Sequence, residues 1–393
     1  MRTATLPFYA VAFLSEVVWM AIVPLAPGYA ERLALSPVET GAVLAAAGFA
    51  TLVVSLPIGV LADRVGTRRV TLAAAALVAV SCAGQAAAVD FWSLLVARAV
   101  FGVALGAIWT AGLAWIAGVE SNRERPSALG VPVTVAGVGI TAGPAFAGLT
   151  ASGLGVRAPF VVLAVASALA ALALARAGGE ETPFRHEPLR AVLAGAGRDR
   201  IVLASCVVMV LIGMLNGGVN LLAPLALERN GLSAAATGLV FSGSSVLFVV
   251  VSIVLTRSGA RVVSLRVVGL GALLYGATTL LAVADTSSAA IVAFMLVRAP
   301  FWATISTLSY PLGARGAARA DLGRGAVMGL LNLVWGLSST LGPILAGATA
   351  EAAGDRWAFA ALVALAGAVG GWLLLAGDPG ESRLVERPVR PPV

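Results

Sequence analysis

The stretch Gly59–Arg69 reads GVLADRVGTRR and lies between two long apolar segments. Its Asp-Arg pair ends the first apolar segment, its central glycine permits a tight turn, and its Arg-Arg pair holds that turn in water. Its first glycine allows neighbouring helices to approach closely. Taken alone, the stretch predicts a charged hairpin between two membrane-spanning helices. The residues that we assign to this hairpin are Gly59, Asp63, Arg64, Gly66, Arg68 and Arg69.

The composition indicates that the chain folds in lipid. Its 393 residues have a mean hydropathy of +0.97, 59% are hydrophobic and 11% are charged, whereas roughly a quarter of residues are charged in soluble domains. Apolar stretches of about 20 residues, enough to cross a bilayer as a helix, recur along the chain. We predict an all-α membrane protein with twelve transmembrane helices at 6–30, 39–62, 70–89, 91–118, 127–150, 158–175, 201–226, 234–256, 262–284, 289–312, 324–350 and 356–376.

The basic residues predict the orientation of these helices. The chain has no lysine, and with both termini inside, the predicted outer loops hold only Arg32, Arg157, Arg229 and Arg356. Because cytoplasmic loops carry an excess of basic residues, we expect a multi-pass protein of the cell (inner) membrane with both termini cytoplasmic. The net charge of +7 then reflects this bias, and we expect no nucleic-acid partner.

The two halves of the chain repeat one pattern. The clearest matches are Pro24 with Pro224, Arg98 with Arg298 and Pro144 with Pro343, at offsets of 200, 200 and 199 residues. The repeat predicts two pseudo-symmetric six-helix bundles with a cavity between them near the bilayer midplane. We place the first bundle at 1–177, a cytoplasmic linker at 178–200, the second bundle at 201–377 and a cytoplasmic tail at 378–393.

The hairpin at 59–69, the twelve spans and the repeat together resemble the major facilitator superfamily of transporters. In that family the loop is a gate latch whose aspartate engages neighbouring helices. The resemblance implies that Asp63 and Arg64 stabilise one conformer rather than contact the substrate. The corresponding second-half loop at 256–261 has no acidic residue.

The fifth predicted helix is rich in glycine around one proline. Without reference to any family, its glycines predict a flat packing stripe and its proline a bend. The same pattern resembles the antiporter signature of the superfamily, although Ala147 replaces one usual glycine. That resemblance implies export of drugs or metabolites rather than import. The motif residues are Gly130, Gly139, Gly143, Pro144 and Gly148.

Two ionisable residues inside the predicted spans are candidates for proton coupling. Glu16 lies about ten residues into the first helix, and burial there favours its protonated form, so it could take up and release a proton; alternatively it caps or pairs between helices. Arg98, with Gly102 and Gly106, resembles the arginine motif of the same exporters, which implies a role in proton transfer or in holding the acid. Alternatively, Arg98 reaches an interface or locks the bundle. We expect Arg298 to be structural.

Aromatic and weakly polar residues of the spans are candidates for the wall of a substrate cavity, since such cavities are mostly apolar with a few polar groups. Each tryptophan could instead be a packing residue or an interfacial anchor. Asn216 and Asn220 lie one helical turn apart and form the better pair. The candidates are Trp19, Trp109, Asn216, Asn220, Tyr310, Asn332 and Trp335.

The function that we predict is secondary active transport, by proton-coupled efflux of small amphipathic molecules such as drugs, with drug resistance as its consequence. The alternative is proton-coupled uptake of a sugar, organic acid or nucleoside. No nucleophile motif or metal-ligand cluster points to an enzyme, and without lysine there is no Walker lysine. We therefore expect no metal and no cofactor, a proton gradient as the energy source, a small-molecule substrate and a monomer.

Overall fold

The computed structural model describes residues 2–113, 115, 130–177, 199–258, 262–320 and 324–377. The side chain of Asp63, nearly all of the predicted linker and the whole predicted tail lie outside the described residues. Within the described part, twelve helices are long and apolar enough to cross a membrane and no strand is present, which confirms the predicted fold class.

The helices of the first half are α1 (Arg2–Leu33), α2 (Pro37–Val65), α3 (Thr67–Ala87), α4 (Phe91–Ala107), α5 (Gly130–Leu154) and α6 (Ala158–Arg176). Those of the second half are α7 (Arg200–Arg229), α8 (Ala234–Arg257), α9 (Leu265–Ala284), α10 (Ser288–Val297), α11 (Ala299–Arg319), α12 (Arg324–Ala353) and α13 (Asp355–Ala376). Segments α10 and α11 form one span.

Short turns with polar caps separate most neighbouring helices, so consecutive spans run in opposite directions. Ser36 begins α2 through a capping box with Glu39, and Asp90 begins α4 through a capping box with Ser93. These side chains satisfy backbone N–H groups that a helix start leaves unpaired. Gly66 joins α2 to α3 with φ at 100°, a conformation that favours glycine.

Two spans depart from the continuous helices that we predicted. The fourth continues from α4 into a π-helical turn at Ile108–Gly112. The tenth is interrupted between α10 and α11 at Arg298, two residues before Pro300. Proline lacks the backbone N–H that would continue the hydrogen-bond ladder, so it is tolerated at the start of the second segment.

Each half packs as a six-helix bundle with the same internal pairs of helices. In the first bundle α1 packs on α5, α2 on α4 and α3 on α6. In the second, α7 packs on α12, α8 on α11 and α9 on α13. This correspondence agrees with the sequence repeat, and the two bundles meet along α5 with α8 and along α2 with α12.

Both contacts between the bundles are tight on one side of the molecule, which we call the Gly231 side after a glycine in its α7–α8 turn. A side chain at Gly148 of α5 would collide with the carbonyl of Ala234. Likewise, a side chain at Gly347 of α12 would collide with the carbonyl of Pro37. The backbones of α5 and α8, and those of α12 and α2, are therefore in direct contact on this side.

The bundles separate towards the other side, which we call the Gly66 side. Gly137 of α5 and Gly329 of α12 have no neighbouring atom within 4 Å of an added Cβ. On α2, Val60 and Leu61 are exposed. Hydrogen bonds of Ser152, Ser242 and Glu351 join the bundles, and all of them lie towards the Gly231 side. The structure is thus closed on the Gly231 side and open on the Gly66 side.

Candidate transport site between the bundles

Glu16 lies on α1 and is only 6% exposed. Its Oε1 accepts a hydrogen bond from the indole Nε1 of Trp109 at 2.8 Å. Trp109 belongs to the π-helical turn, which changes the angular position of the residues that follow α4 and often occurs at functional sites. The structure therefore brings together two residues that the sequence assigned to different roles, one to proton coupling and one to the substrate cavity.

The glycine stripe of α5 packs on α1 directly beside Glu16. A methyl group at Gly139 would lie 2.9 Å from Cβ of Glu16 and near the carbonyl of Phe13, and one at Gly143 would meet the carbonyl of Val17 at 2.9 Å. Neither position has room for a larger residue unless the helices part. The antiporter-motif helix is thus in backbone contact with the turn that carries the buried acid.

Pro144 lies in α5 where the two bundles meet, and a serine of the second bundle bonds to the backbone on either side of it. The hydroxyl of Ser242 on α8 donates to the carbonyl of Thr141 at 2.7 Å and accepts from the N–H of Ala145 at 3.0 Å. In a straight helix that N–H and that carbonyl would bond to each other. Gly238 of α8 lies against the carbonyl of Pro144, which permits this close approach.

Arg98 on α4 is 1% exposed, and aromatic rings surround it. Its guanidinium carbon lies 5.3 Å from the ring centroid of Phe101 and 6.0 Å from that of Trp19. Its Nε and Nη1 atoms have no hydrogen-bond partner among the described residues. Within the same part of the chain, no ion pair joins Arg98 to Glu16. The structure thus holds this cation apart from the acid.

A small pocket lies beside Arg98, between the bundles. It has about 30 Å³ of open volume, room for one or two water molecules and too little for a whole organic substrate. Five helices of both bundles contribute its lining residues, namely Trp19, Ile22, Val23, Leu44, Gly48, Arg98, Asn216, Gly217, Asn220, Ser339 and Pro343. Three of the seven predicted cavity residues therefore line it: Trp19, Asn216 and Asn220.

The other predicted cavity residues lie elsewhere. Tyr310 of α11 and Asn332 of α12 are exposed, and the Tyr310 hydroxyl donates to Oδ1 of Asn332 at 2.5 Å. Trp335 is half-buried and packs against the hydrophobic core. Trp109 contacts Glu16 instead of the pocket. These four residues do not line the pocket in this conformation.

The described hairpin residues lie on the Gly66 side. Gly59 is buried in α2 and Arg64 is exposed. Arg68 donates to the carbonyl of Ala175 on α6 at 3.2 Å, and Arg69 donates to that of Val65 at 3.4 Å. Gly130, the first motif glycine, begins α5. The latch role of Asp63 and Arg64 stays a prediction.

Sequence reasoning missed the π-helical turn, the Ser242 bridge and several pocket residues. The pairing of Pro144 with Pro343 and the one-turn spacing of Asn216 and Asn220 were the available signals for the pocket, since Pro343 and both asparagines line it. The period of apolar residues does not distinguish a π-helical turn from an α-helix within a uniformly apolar span. Nothing near Ser242 singles it out from the neighbouring serines 244 and 245.

Two pseudo-symmetric helical bundles that close on one side around a central pocket define a multi-pass membrane transporter. The chain belongs to the Major Facilitator Superfamily, whose family model matches residues 8–324 and again 206–392. A curated relative, the "Probable vesicular acetylcholine transporter-B" of Danio rerio, is 29% identical over 160 residues, which are 38% of this chain and 32% of the relative. This match thus spans about a third of the length of that relative.

Solved structures share the fold. The nucleoside transporter NupG is 13% identical with a TM-score of 0.77, covering 94% of this chain and 98% of that one. A bacterial homologue of the human lysosomal transporter Spinster, inward-facing and occupied, is 16% identical with a TM-score of 0.79, covering 94% and 95%. At these identities the similarity establishes the architecture of the chain and leaves its substrate open.

Proposed function

We propose that this transporter is a proton-coupled exporter, an antiporter of small amphipathic molecules such as drugs or metabolites. The observation that carries the proposal is the contact between α5 and α1 at Glu16. The helix whose glycines resemble the antiporter signature packs on the turn that holds a buried acid. A change in the protonation of that acid would thus act on the helix that meets the second bundle.

Protonation changes how Glu16 is held. A carboxylate accepts a stronger hydrogen bond from the indole of Trp109 than a neutral carboxyl does. Loss of the charge also removes the cost of burying an ion inside the membrane. The proton therefore biases the position of α1 against α5, and α5 transmits that bias to its contact with α8 at Gly148 and Ser242.

The orientation that we propose places the Gly66 side at the cytoplasmic face of the cell membrane, because the loops and termini that the predicted topology assigns to this side hold most of the arginines outside the spans. Both termini are then cytoplasmic and the described conformation opens inward. Substrate enters from the cytoplasm, and the hairpin at 59–69 latches the Gly66 side in the opposite conformer. One chain supplies both bundles, so a monomer is the working unit, and the proton gradient replaces any cofactor.

One of the similar structures is that of a nucleoside transporter. Uptake of a nucleoside, sugar or organic acid together with protons is therefore the competing proposal. Both use alternating access around a central cavity, and the direction of substrate relative to protons separates them.

Transport in proteoliposomes tests the proposal. A pH gradient is imposed, a panel of lipophilic dyes and antibiotics is supplied, and internal pH is recorded with substrate flux. We expect substrate to move against its own gradient while protons move the opposite way. Movement of substrate and protons in the same direction, or transport of sugars and acids alone, would overturn export. Protein-free vesicles correct for passive leakage of lipophilic compounds.

A further inference from the structure

Arg98 is a cation in the interior of the membrane with unmet hydrogen-bonding capacity. A guanidinium stays charged in proteins and has five N–H donors. The rings of Phe101 and Trp19 attract its charge but accept no conventional hydrogen bond from Nε or Nη1. Buried charges in membrane proteins are costly, and they usually pair or serve a ligand. Within the described residues, no acidic side chain pairs with this one.

Arg298, the counterpart of Arg98 in the second half, has contacts to protein side chains. Arg298 also lies among aromatic rings, with its guanidinium 5.6 Å from the ring centroid of Phe294 and 5.9 Å from that of Tyr275. Its Nε contacts the sulfur of Met295 at 3.3 Å, and its Nη1 lies 3.5 Å from the hydroxyl of Tyr275. Arg298 does not line the pocket, whereas Arg98 does.

The pocket beside Arg98 has the polarity of a site for an anion. Arg98 is the charged member of its lining, and the other polar members are two amides and a hydroxyl, from Asn216, Asn220 and Ser339. The Nδ2 group of Asn220 already lies 3.4 Å from Oδ1 of Asn216, a long hydrogen bond that can be exchanged. Guanidinium and amide groups match the planar geometry of a carboxylate.

We propose that Arg98, with Asn216 and Asn220, forms a subsite for the carboxylate of an amphipathic organic anion. The open volume suits a carboxylate head group, whose two oxygens need about the room of two waters. The apolar part of the ligand then extends towards the Gly66 side, where the bundles separate. This inference narrows the substrate class of the proposed exporter to organic anions. It rests on the proposed function in one respect, namely that the pocket is part of the transport path.

Binding to the purified full-length protein in lipid nanodiscs tests the subsite. The probes are 2-naphthoate and its uncharged analogue 2-naphthamide, with affinities measured by titration calorimetry. We expect the wild-type protein to bind the carboxylate at least about tenfold more tightly than the amide, as hydrogen bonds to charged groups warrant. Arg98→Met should abolish that preference, whereas the matched variant Arg298→Met should retain it.

Size-exclusion profiles and thermal unfolding first establish that each variant is folded. If Arg98→Met does not fold, Arg98→Gln, which keeps a polar donor without the charge, takes its place. Equal affinity of wild type for both probes overturns the subsite, and so does a preference that survives in a folded Arg98 variant. These outcomes are independent of transport direction: if anions bind as expected but move together with protons, the exporter proposal fails and the subsite stands.

Discussion

The two bundles have one scaffold and different chemistry. Where the first carries Glu16 on α1, the second carries Asn216 at the matching position of α7. Where Arg98 has unpaired donors beside a pocket, Arg298 has protein partners. The first bundle thus has a buried acid and an arginine with unpaired donors where the second has an amide and an arginine with protein partners.

The two contacts between the bundles, α5 with α8 and α2 with α12, also share a backbone arrangement but differ in their polar groups. Gly41 of α2 meets the carbonyl of Pro343 as Gly238 of α8 meets that of Pro144. Four residues further on, α8 has Ser242, which bonds to the backbone of α5, and α2 has Ala45. One contact is thus reinforced by inserted hydrogen bonds at a place where the other has a methyl group.

The largest effect should come from removing the charge that only the first bundle has. Glu16→Gln should abolish coupling to a pH gradient, because an amide keeps the size of the side chain and an acceptor for Trp109 but does not exchange a proton. Proton flux during transport in proteoliposomes measures this. Glu31→Gln, at an exposed site of the same helix, is the control and should keep coupling. An unaltered pH dependence in Glu16→Gln would remove it as the proton site.

The next largest effect should come from parting the tight contact between α5 and α8. Gly148→Ala places a methyl group against the carbonyl of Ala234, so the Gly231 side cannot close as described and transport should fall about tenfold or more, as overpacking costs of 1–3 kcal/mol imply. Gly153→Ala, on the same helix with no atom within 4 Å of the new methyl, is the matched control. Spin-label distances between Leu154 and Leu239 should lengthen in the first variant and stay unchanged in the second.

Removing the inserted hydroxyl should have a smaller effect and make the two contacts more alike. Ser242→Ala deletes two hydrogen bonds, but the freed N–H of Ala145 and carbonyl of Thr141 can then bond to each other, so the net loss is about one bond of ~1 kcal/mol and the population open on the Gly231 side should rise about fivefold. Ser245→Ala is the control, since Ser245 donates only to the carbonyl of Phe241 in its own helix. The same pair of spin labels reports the populations. Equal distance distributions in both variants would contradict a role of the bridge in closure.

The smallest effect should come from two aspartates near helix starts, Asp90 in the first half and Asp285 in the second, which have similar hydrogen bonds. Hydrogen bonds from the backbone N–H and hydroxyl of Ser93 lower the pKa of Asp90, and bonds from Ser287 lower that of Asp285. Because a lowered pKa stabilises the fold above the unfolded value of about 3.9, this contribution is lost as pH falls through the folded pKa. Asp90→Asn and Asp285→Asn should each lower Tm slightly at pH 7.

That decrease should be smaller at pH 3 than at pH 7, because the contribution of the ionised carboxyls begins to fall once the pH drops below their unfolded pKa of about 3.9. Thermal unfolding at both pH values measures it. A decrease in Tm of the same size at the two pH values would show that the effect does not depend on ionisation of the carboxyls.

The sequence predicted the architecture well because lipid imposes a simple rule. Each span must satisfy its backbone internally, so its length and composition identify it. The predicted starts and ends are off by a few residues, as with the first span, predicted at 6–30 and observed as Arg2–Leu33. The interruption at Arg298 could have been anticipated from Pro300, since proline restricts the residues before it.

The candidate site was less predictable because it depends on which helix faces meet. Glu16 and Trp109 are 93 residues apart in sequence, and their contact depends on a π-helical turn that has no signal in a uniformly apolar segment. Tyr310 and Asn332 are aromatic and polar like several residues that line the pocket, yet they pair with each other outside it. Residue type alone does not tell these cases apart.

The contact between α5 and α8 also determines which part of the cycle can respond to solution conditions. Among the described residues, its hydrogen bonds join the hydroxyls of Ser152 and Ser242 to backbone groups, and glycines of both helices lie against backbone carbonyls. Its strength should therefore be nearly independent of ionic strength and of pH across the physiological range. A steep acid or salt response of transport then comes from outside this contact, either from ligand and proton occupancy or from Glu351, which accepts a hydrogen bond from the N–H of Val38 where α12 meets α2.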